Sequence, residues 1–279
     1  NKLGKERLFK YINDFGFGKK TGIDLNGESS GILFNLNKVG PVELATTAFG
    51  QGISVSAIQQ ITAVSATING GTLYKPYVVK RIVEPNTNEI IKENKPTIVK
   101  KVISNETSNT VRMALETVVA YGTGRNAYIE GYRVGGKTGT AQKVQNGVYM
   151  HGNYILSFIG FLPADNPQAV VYVAVDNPKG VVQYGGTISA PIAKNIMIDI
   201  IDALNIPKSE YTLDKVYNWY DTKYAIVPNI INLELSEAKK QLKNFTVNYS
   251  GTGNIIKAIS PSPSTILPVN STIKVFLGN

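Results

Sequence analysis

The sequence predicts an α+β protein: an antiparallel sheet with helices packed on it, followed by a much smaller α+β unit at the C-terminus. Three observations lead there. Residues 154–162 and 169–176 are continuously apolar stretches of strand length, joined only by Pro163-Ala164-Asp165-Asn166-Pro167, a connection short enough for an antiparallel pair. The apolar run 189–204 is long enough to form a helix that covers one face of that pair. After Leu204 the composition turns polar through 207–223, where the single tryptophan, Trp219, lies, and a second compact pattern starts at Ala225. The predicted division is residues 1–204, a linker at 205–224, and residues 225–279.

Taken in order, Leu8, Tyr11, Ile12 and Phe15 recur at helical spacing and predict an opening helix. Asn1 is not a start methionine and this helix reads as mid-domain, so the chain is expected to be part of a longer protein. Gly50-Gln51-Gly52 breaks the chain; Ser54 or Ser56 then caps a helix built on Ile58, Ile61, Val64 and Ile68 and stopped by Gly70-Gly71. Strands are predicted over 77–84 and 99–103, with Pro85-Asn86-Thr87-Asn88 as a turn between them. Val111, Ala114, Leu115, Val118 and Val119 mark an amphipathic helix ended by Tyr121-Gly122, and a strand over 134–142 precedes the apolar pair. Asp176 is expected to end the last of these strands and cap the turn at Asn177-Pro178. In the C-terminal unit a helix capped by Ser236 runs through Leu242, with strands near Val247, Ile256 and Val275. So short a unit predicts a simple, marginally stable core.

Composition excludes several chemistries. The chain has no cysteine, which removes disulfides, thiol nucleophiles and thiolate metal sites from these residues. The one histidine, His151, rules out a multi-histidine cluster; it reads as a loop residue that could complete a metal site only with ligands from elsewhere. No apolar run reaches the length of a membrane span, and no signal-peptide pattern opens the chain. The net charge of +9 favours anionic neighbours, but Lys and Arg are scattered, which points to solubility and not to nucleic-acid binding.

The densest chemical signal is Gly135-Gly136-Lys137-Thr138-Gly139-Thr140-Ala141-Gln142. Glycines let a ligand approach the backbone, and a lysine beside two hydroxyls, expected on one face of the strand, makes an anion-binding surface. Two readings compete. Gly131-Tyr132-Arg133-Val134-Gly135-Gly136-Lys137-Thr138 satisfies the phosphate-cradling pattern G-x-x-x-x-G-K-[ST], and the apolar segment 170–176 ending in Asp176 resembles a magnesium-holding strand. A phosphate loop must follow a buried strand and open a helix, however, and neither 127–134 nor 142–147 has that pattern. The other reading is the K-T-G strand of serine acyltransferases. There Lys137 orients a terminal carboxylate, Thr138 and Thr140 hydrogen-bond it, and the Thr140 backbone N–H stabilises the oxyanion.

The surrounding segments resemble class B penicillin-binding proteins, in order: Asn13-Asp14-Phe15-Gly16-Phe17-Gly18, Thr21-Gly22-Ile23-Asp24, Phe49-Gly50-Gln51-Gly52, Asn69-Gly70-Gly71-Thr72, Gly122-Thr123-Gly124-Arg125-Asn126-Ala127, Ser157-Phe158-Ile159-Gly160-Phe161 and Val175-Asp176-Asn177-Pro178. The last unit, with Val227-Pro228-Asn229, Glu237-Ala238 and Ser260-Pro261-Ser262-Pro263, is similar to a PASTA domain. The resemblance implies a β-lactamase-like transpeptidase domain with its N-terminal half absent, then a linker and a PASTA domain. It implies a peptidoglycan D,D-transpeptidase of spore cortex or division wall synthesis, taking stem peptides and β-lactams and needing no metal or organic cofactor. It further implies a membrane anchor upstream, a glycosyltransferase partner in the membrane, and a location on the outer face of the cytoplasmic membrane. Lys137 and Thr140 are the catalytic candidates; Gly136, Thr138, Gly139 and Thr140 are the substrate-binding ones.

One departure matters. The family's S-x-x-K and S-x-N motifs should precede Lys137, and nothing before it matches. Ser236-Glu237-Ala238-Lys239 and Ser271-Thr272-Ile273-Lys274 fit S-x-x-K but lie in the small unit and in the wrong order, as a helix cap and an exposed strand face. An active site acting as a unit loses nearly all its rate without its nucleophile, so this chain alone is expected to be inactive. A non-catalytic wall-binding or scaffolding role stands beside the enzymatic one.

Overall fold

The computed structural model describes residues 2–145, 148–214 and 224–279; Asn146, Gly147 and Trp219 lie outside them. Helix α1, Gly4–Asp14, forms where the opening periodicity predicts, but the residue it buries is Phe9, outside the predicted set, while Leu8 and Ile12 are half-buried and Tyr11 is exposed. Helix α2, Pro41–Ala48, was not expected, because so short a segment shows no clear period. Pro41 opens it, and the Glu43 carboxylate accepts the Gly40 N–H at 2.9 Å. Helix α3, Ala57–Ile68, is capped by Ser56: its Oγ accepts the Gln59 N–H at 3.2 Å while Gln59 Oε1 accepts the Ser56 N–H at 2.9 Å. The buried Gln59 amide also donates to the Lys19 carbonyl at 2.7 Å and the Ser30 carbonyl at 2.9 Å, pinning the preceding loop to the helix.

The region after α3 departs from the predicted strands. It forms β1, Thr72–Lys75, β2, Arg81–Val83, β3, Ile90–Glu93, and β4, Thr97–Lys101, paired antiparallel as β1 with β4 and β2 with β3. The start of the predicted strand 77–84 is irregular because the Asp24 carboxylate accepts the N–H groups of Val78 and Val79, at 2.8 and 2.9 Å, and takes them out of any ladder. Helix α4, Asn105–Ala120, follows, capped by Ser104 and ending at Tyr121.

The central sheet consists of β5, Gly135–Gln145, β6, Val148–Leu162, and β7, Ala169–Asp176, antiparallel in that order. The β6–β7 pair matches the reading from the two apolar runs; β6 starts earlier because its polar end pairs back onto β5, Gln145 opposite Val148. Helix α5, Gly185–Leu204, starts ahead of the predicted Ser189. It packs Ala190, Ala193, Met197 and Ile201 on Phe158 and Leu162 of β6 and Val171 of β7. Period-two alternation sends Phe161 to the opposite face, against Ile68 of α3 and Ala164. The buried Ser189 hydroxyl donates to the Leu156 carbonyl at 2.9 Å, so α5 is tied to the sheet by polar as well as apolar contact. Asp176 ends β7 as read, but its carboxylate accepts from Lys143 Nζ at 2.7 and 2.8 Å and does not cap the turn, which Asn177 makes at a φ of 50°.

The C-terminal stretch contains β8, Tyr224–Ile226, α6, Leu235–Gln241, β9, Thr246–Gly251, β10, Ile255–Ser260, β11, Ile266–Pro268, and β12, Thr272–Gly278. β12 lies between β10 and β9, antiparallel to the first and parallel to the second, while β8 pairs with β11. Ile230, Ala238, Ile256, Ile273 and Val275 form its apolar centre. Ser236 is not the helix cap: α6 starts earlier, with the Glu234 carbonyl accepting the N–H groups of Glu237 and Ala238 at 3.0 and 2.9 Å. Among the described residues no helix is long and apolar enough to cross a membrane.

Candidate active site

β5 is an edge strand of its sheet, and its glycines are there for close packing. A Cβ on Gly135 would lie 2.3 Å from the Phe161 ring, one on Gly136 2.5 Å from the Phe158 ring, and one on Gly139 2.4 Å from Ser157 Oγ. The start of α5 presses on the same strand: a Cβ on Gly185 would lie 2.4 Å from the Gly139 carbonyl oxygen. Gly136, where a Cβ would also meet the Ile159 carbonyl oxygen at 2.7 Å, is therefore required by the fold where the sequence suggests a ligand crosses, whereas at Gly139 only the Ser157 hydroxyl would have to turn away.

Lys137 is exposed, and its ammonium donates to the Thr138 carbonyl at 2.8 Å. Thr138 Oγ1 is 3.0 Å from Thr123 Oγ1, and Thr140 Oγ1 accepts the Gly185 N–H at 3.3 Å. The three side chains do not share a face. Thr138 and Thr140 sit opposite Phe158 and Leu156, whereas Lys137 sits opposite Ile159, on the other side of the pleat. Only because β5 ends the sheet do groups from both faces reach one open margin. The edge of β5 carries a cation on one face, two hydroxyls on the other and strand backbone between them, groups of the kind that bind a carboxylate and a developing oxyanion.

Three residues of this margin were given no site role from the sequence: Thr123, which meets Thr138, and Asn126, whose Nδ2 donates to the Gly186 carbonyl at 2.8 Å, were read only as part of the segment Gly122–Ala127, and Gly185, which meets Thr140, was not read at all. The available signal was Gly185-Gly186 ahead of an apolar helix, since paired glycines there mark a close approach.

The phosphate-loop reading is overturned. Lys137 lies inside a strand that runs on to Gln145, so the helix that a phosphate loop must open directly after its lysine is missing. The aspartate proposed for magnesium, Asp176, is engaged by Lys143 and sits on β7, separated from β5 by β6. His151, read as a loop residue, lies instead exposed within β6, whose polar end pairs back onto β5, and among the described residues no group of three or more acidic or histidine side chains could hold a metal ion. Ser236 and Ser271, the S-x-x-K matches, belong to the C-terminal stretch and not to the sheet that carries Lys137.

Shifted ionisations lie elsewhere and mark structural anchors. Hydrogen bonds from Lys10 and Lys100 hold the Asp14 carboxyl below its ordinary range, and the Val78 and Val79 N–H groups do so for Asp24. For Glu28 partial burial pushes upward but is outweighed by bonds from Thr21 and Gly22, so its pKa is also lowered. Arg133 is raised, first by its hydrogen bonds to Glu116, at 2.8 and 2.7 Å. A cavity of about 510 Å³ is lined by apolar side chains such as Ile23, Leu25, Ile58, Ile61 and Tyr172, away from Lys137.

Comparison with known proteins accounts for this arrangement. Residues 1–198 match the penicillin binding protein transpeptidase domain, and residues 225–279 match the PASTA domain. The chain belongs to the penicillin-binding-protein transpeptidase family. It is similar to Stage V sporulation protein D of Bacillus subtilis (strain 168), 57% identical over 276 residues that make up 99% of this chain and 43% of that protein. A second relative, the probable peptidoglycan D,D-transpeptidase PenA of Neisseria meningitidis, is 34% identical over 206 residues, 74% of this chain and 33% of the relative. Among solved structures, penicillin-binding protein 3 of Mycobacterium tuberculosis complexed with ampicillin aligns with a TM-score of 0.69 and 32% identity, covering 76% of this chain and 50% of that one. The apo transpeptidase domain of Burkholderia pseudomallei penicillin-binding protein 3 aligns with a TM-score of 0.64 and 33% identity, covering 74% and 60%. The chain thus spans less than half the length of the two named relatives.

Proposed function

We propose that the protein to which this chain belongs is a serine-type peptidoglycan D,D-transpeptidase, with its transpeptidase portion ending near residue 204, a linker at 205–224 and a PASTA domain at 225–279. The observation that carries the reading is the K-T-G strand at the sheet edge, with exposed Lys137 on one face and the Thr138 and Thr140 hydroxyls on the other. Family membership and the 57% identity to a sporulation protein support a role in cell-wall cross-linking, of the spore wall in particular.

In this reading a serine outside this sequence attacks the carbonyl carbon between the two D-alanines of a stem peptide. Its hydroxyl proton passes to the departing amine, the peptide C–N bond breaks, and D-alanine leaves behind an acyl ester. An amine of a second stem peptide then attacks that ester, forms the cross-link and returns the proton to the serine oxygen. Lys137 and Thr140 act at the reacting end. The ammonium and the Thr138 and Thr140 hydroxyls hold the terminal carboxylate, and the Thr140 N–H stabilises the oxyanion. Gly136 and Gly139 keep the strand low enough for a substrate backbone to lie along it. No step needs a metal or organic cofactor. β-Lactams would acylate the same serine, an inference supported by the ampicillin complex of the Mycobacterium tuberculosis relative. The protein would work on the outer face of the cytoplasmic membrane, anchored through residues outside this sequence, beside a membrane glycosyltransferase.

The test is labelling with a fluorescent penicillin. The full-length protein is expected to take covalent label and this chain alone to take none. Absence of label on well-folded full-length protein would contradict the reading.

A further inference from the structure

The carboxylate-binding role of Thr138 depends on where its proton points, and a hydroxyl is free to rotate unless something accepts from it or donates to it. The neighbour that can set this is Thr123, whose Oγ1 lies 3.0 Å from Thr138 Oγ1. Thr123 sits on the loop after α4, and that loop is held from two sides. On one side the N–H groups of Gly122 and Gly124 both donate to the Val118 carbonyl, at 3.1 and 3.0 Å, tying the loop to the end of α4. On the other, Asn126 Nδ2 donates to the Gly186 carbonyl at 2.8 Å, and a Cβ on Gly186 would lie 2.4 Å from the Thr123 carbonyl oxygen. The first turn of α5 in turn meets β5 through the Gly185 N–H and Thr140 Oγ1 at 3.3 Å. Loop, strand and helix start form one closed bracket around Thr138.

A hydroxyl carries one proton and two lone pairs. When Thr123 gives its proton to Thr138 Oγ1, the proton of Thr138 is released for a ligand, and its direction is fixed by the bond it receives. We propose that Thr123 is a positioning residue: its hydroxyl donates to Thr138 and holds the Thr138 proton toward the substrate carboxylate, while Asn126 keeps the loop in register with α5. The proposal deepens the transpeptidase reading and rests on it. It also gives a physical reason for a threonine between Gly122 and Gly124, where a purely structural turn would need no hydroxyl.

The test is the acylation rate of the full-length protein by ampicillin, measured for Thr123→Val, Thr123→Ser, Thr138→Val and the Thr123→Val/Thr138→Val double variant, each checked by thermal unfolding. Valine keeps the shape and removes the donor. It is expected to slow acylation by about fivefold to tenfold, the worth of one oriented hydrogen bond. Serine is expected to restore the rate to within about twofold. In the Thr138→Val background, Thr123→Val is expected to add nothing, because its route to the ligand is gone. Should Thr123→Val fold poorly, Thr123→Ala serves in the same cycle. Wild-type rates for both truncations, a serine variant as slow as valine, or a full Thr123 effect in the absence of the Thr138 hydroxyl would each overturn the proposal. Wild-type protein that is not acylated at all would instead overturn the transpeptidase reading beneath it.

Discussion

The C-terminal stretch and the larger region before it finish their apolar surfaces in different ways. Among the described residues, 225–279 enclose Ile230, Ile256, Ile273 and Val275 completely with side chains of that stretch. The larger region buries the contact between α5 and its sheet equally well, yet leaves Ile32, Val42 and Phe49 about 70% exposed. Burial is what holds a fold, so large side chains left in water at one end of a region mark surface that makes no contribution there. Under the proposed function these are faces that the rest of the transpeptidase domain covers, including the part that carries the serine. The small stretch exposes its outlying apolar side chains less, with Ile231, Tyr249, Ile266 and Phe276 at 40–43%. That contrast also separates stability from activity, since only the larger region carries the site.

The sharpest way to break the contrast is to damage each core in the full-length protein. Ile273→Ala removes a fully buried side chain from the small core and should cost about 3 kcal/mol. Hydrogen exchange should show residues 225–279 opening, while penicillin labelling stays at the wild-type level; a parallel loss of labelling would mean that the two regions are not independent. Arg133→Ala should come next. It strands the Glu116 carboxylate, which is almost completely buried and otherwise paired at 2.7 and 2.8 Å. The expected loss is about 2 kcal/mol, below the figure for a fully buried pair because Arg133 keeps contact with water. Urea unfolding with an unchanged slope measures it, and Arg133→Lys should recover only part, since lysine cannot make the forked contact.

The smallest effect concerns Asp24. Its carboxyl is held below the ordinary value of 3.8 by the Val78 and Val79 N–H groups, so ionised Asp24 favours the folded arrangement. That contribution is present above the unfolded-state pKa and is lost as pH falls through the lowered folded-state value. Amide exchange at Val78 and Val79, normalised for intrinsic acid catalysis, should lose protection selectively in that acid range. Asp24→Asn should remove the pH dependence; a dependence that survives the substitution would assign it to another carboxyl.

What the sequence could tell followed from the range of the interactions. The β6–β7 hairpin, the cover by α5 and the Ser56 cap are local patterns of period or spacing, and each was legible. The short elements α2, β1, β3 and β11 carry too few residues to show a period. The irregular start of the expected strand at 77–84 is set by Asp24, which lies more than fifty positions away along the chain. The site divides the same way. Lys137-Thr138-Gly139-Thr140 could be read as a motif, whereas the Thr123–Thr138 and Gly185–Thr140 contacts join residues 15 and 45 positions apart. The expectation that Lys137 shares a face with the threonines failed against the pleat itself, and it is the edge position of β5 that reunites them.

The most direct measurement of the central claim is release of D-alanine by the full-length protein from a stem pentapeptide ending in D-Ala-D-Ala, compared with its Lys137→Ala variant at matched thermal stability. The account predicts release by the wild type and a loss of about a hundredfold or more in the variant, the scale expected for removing a charge-assisted anchor from an active site. Release at the wild-type rate by Lys137→Ala would contradict it, and would mean that the K-T-G strand is scaffold and not site.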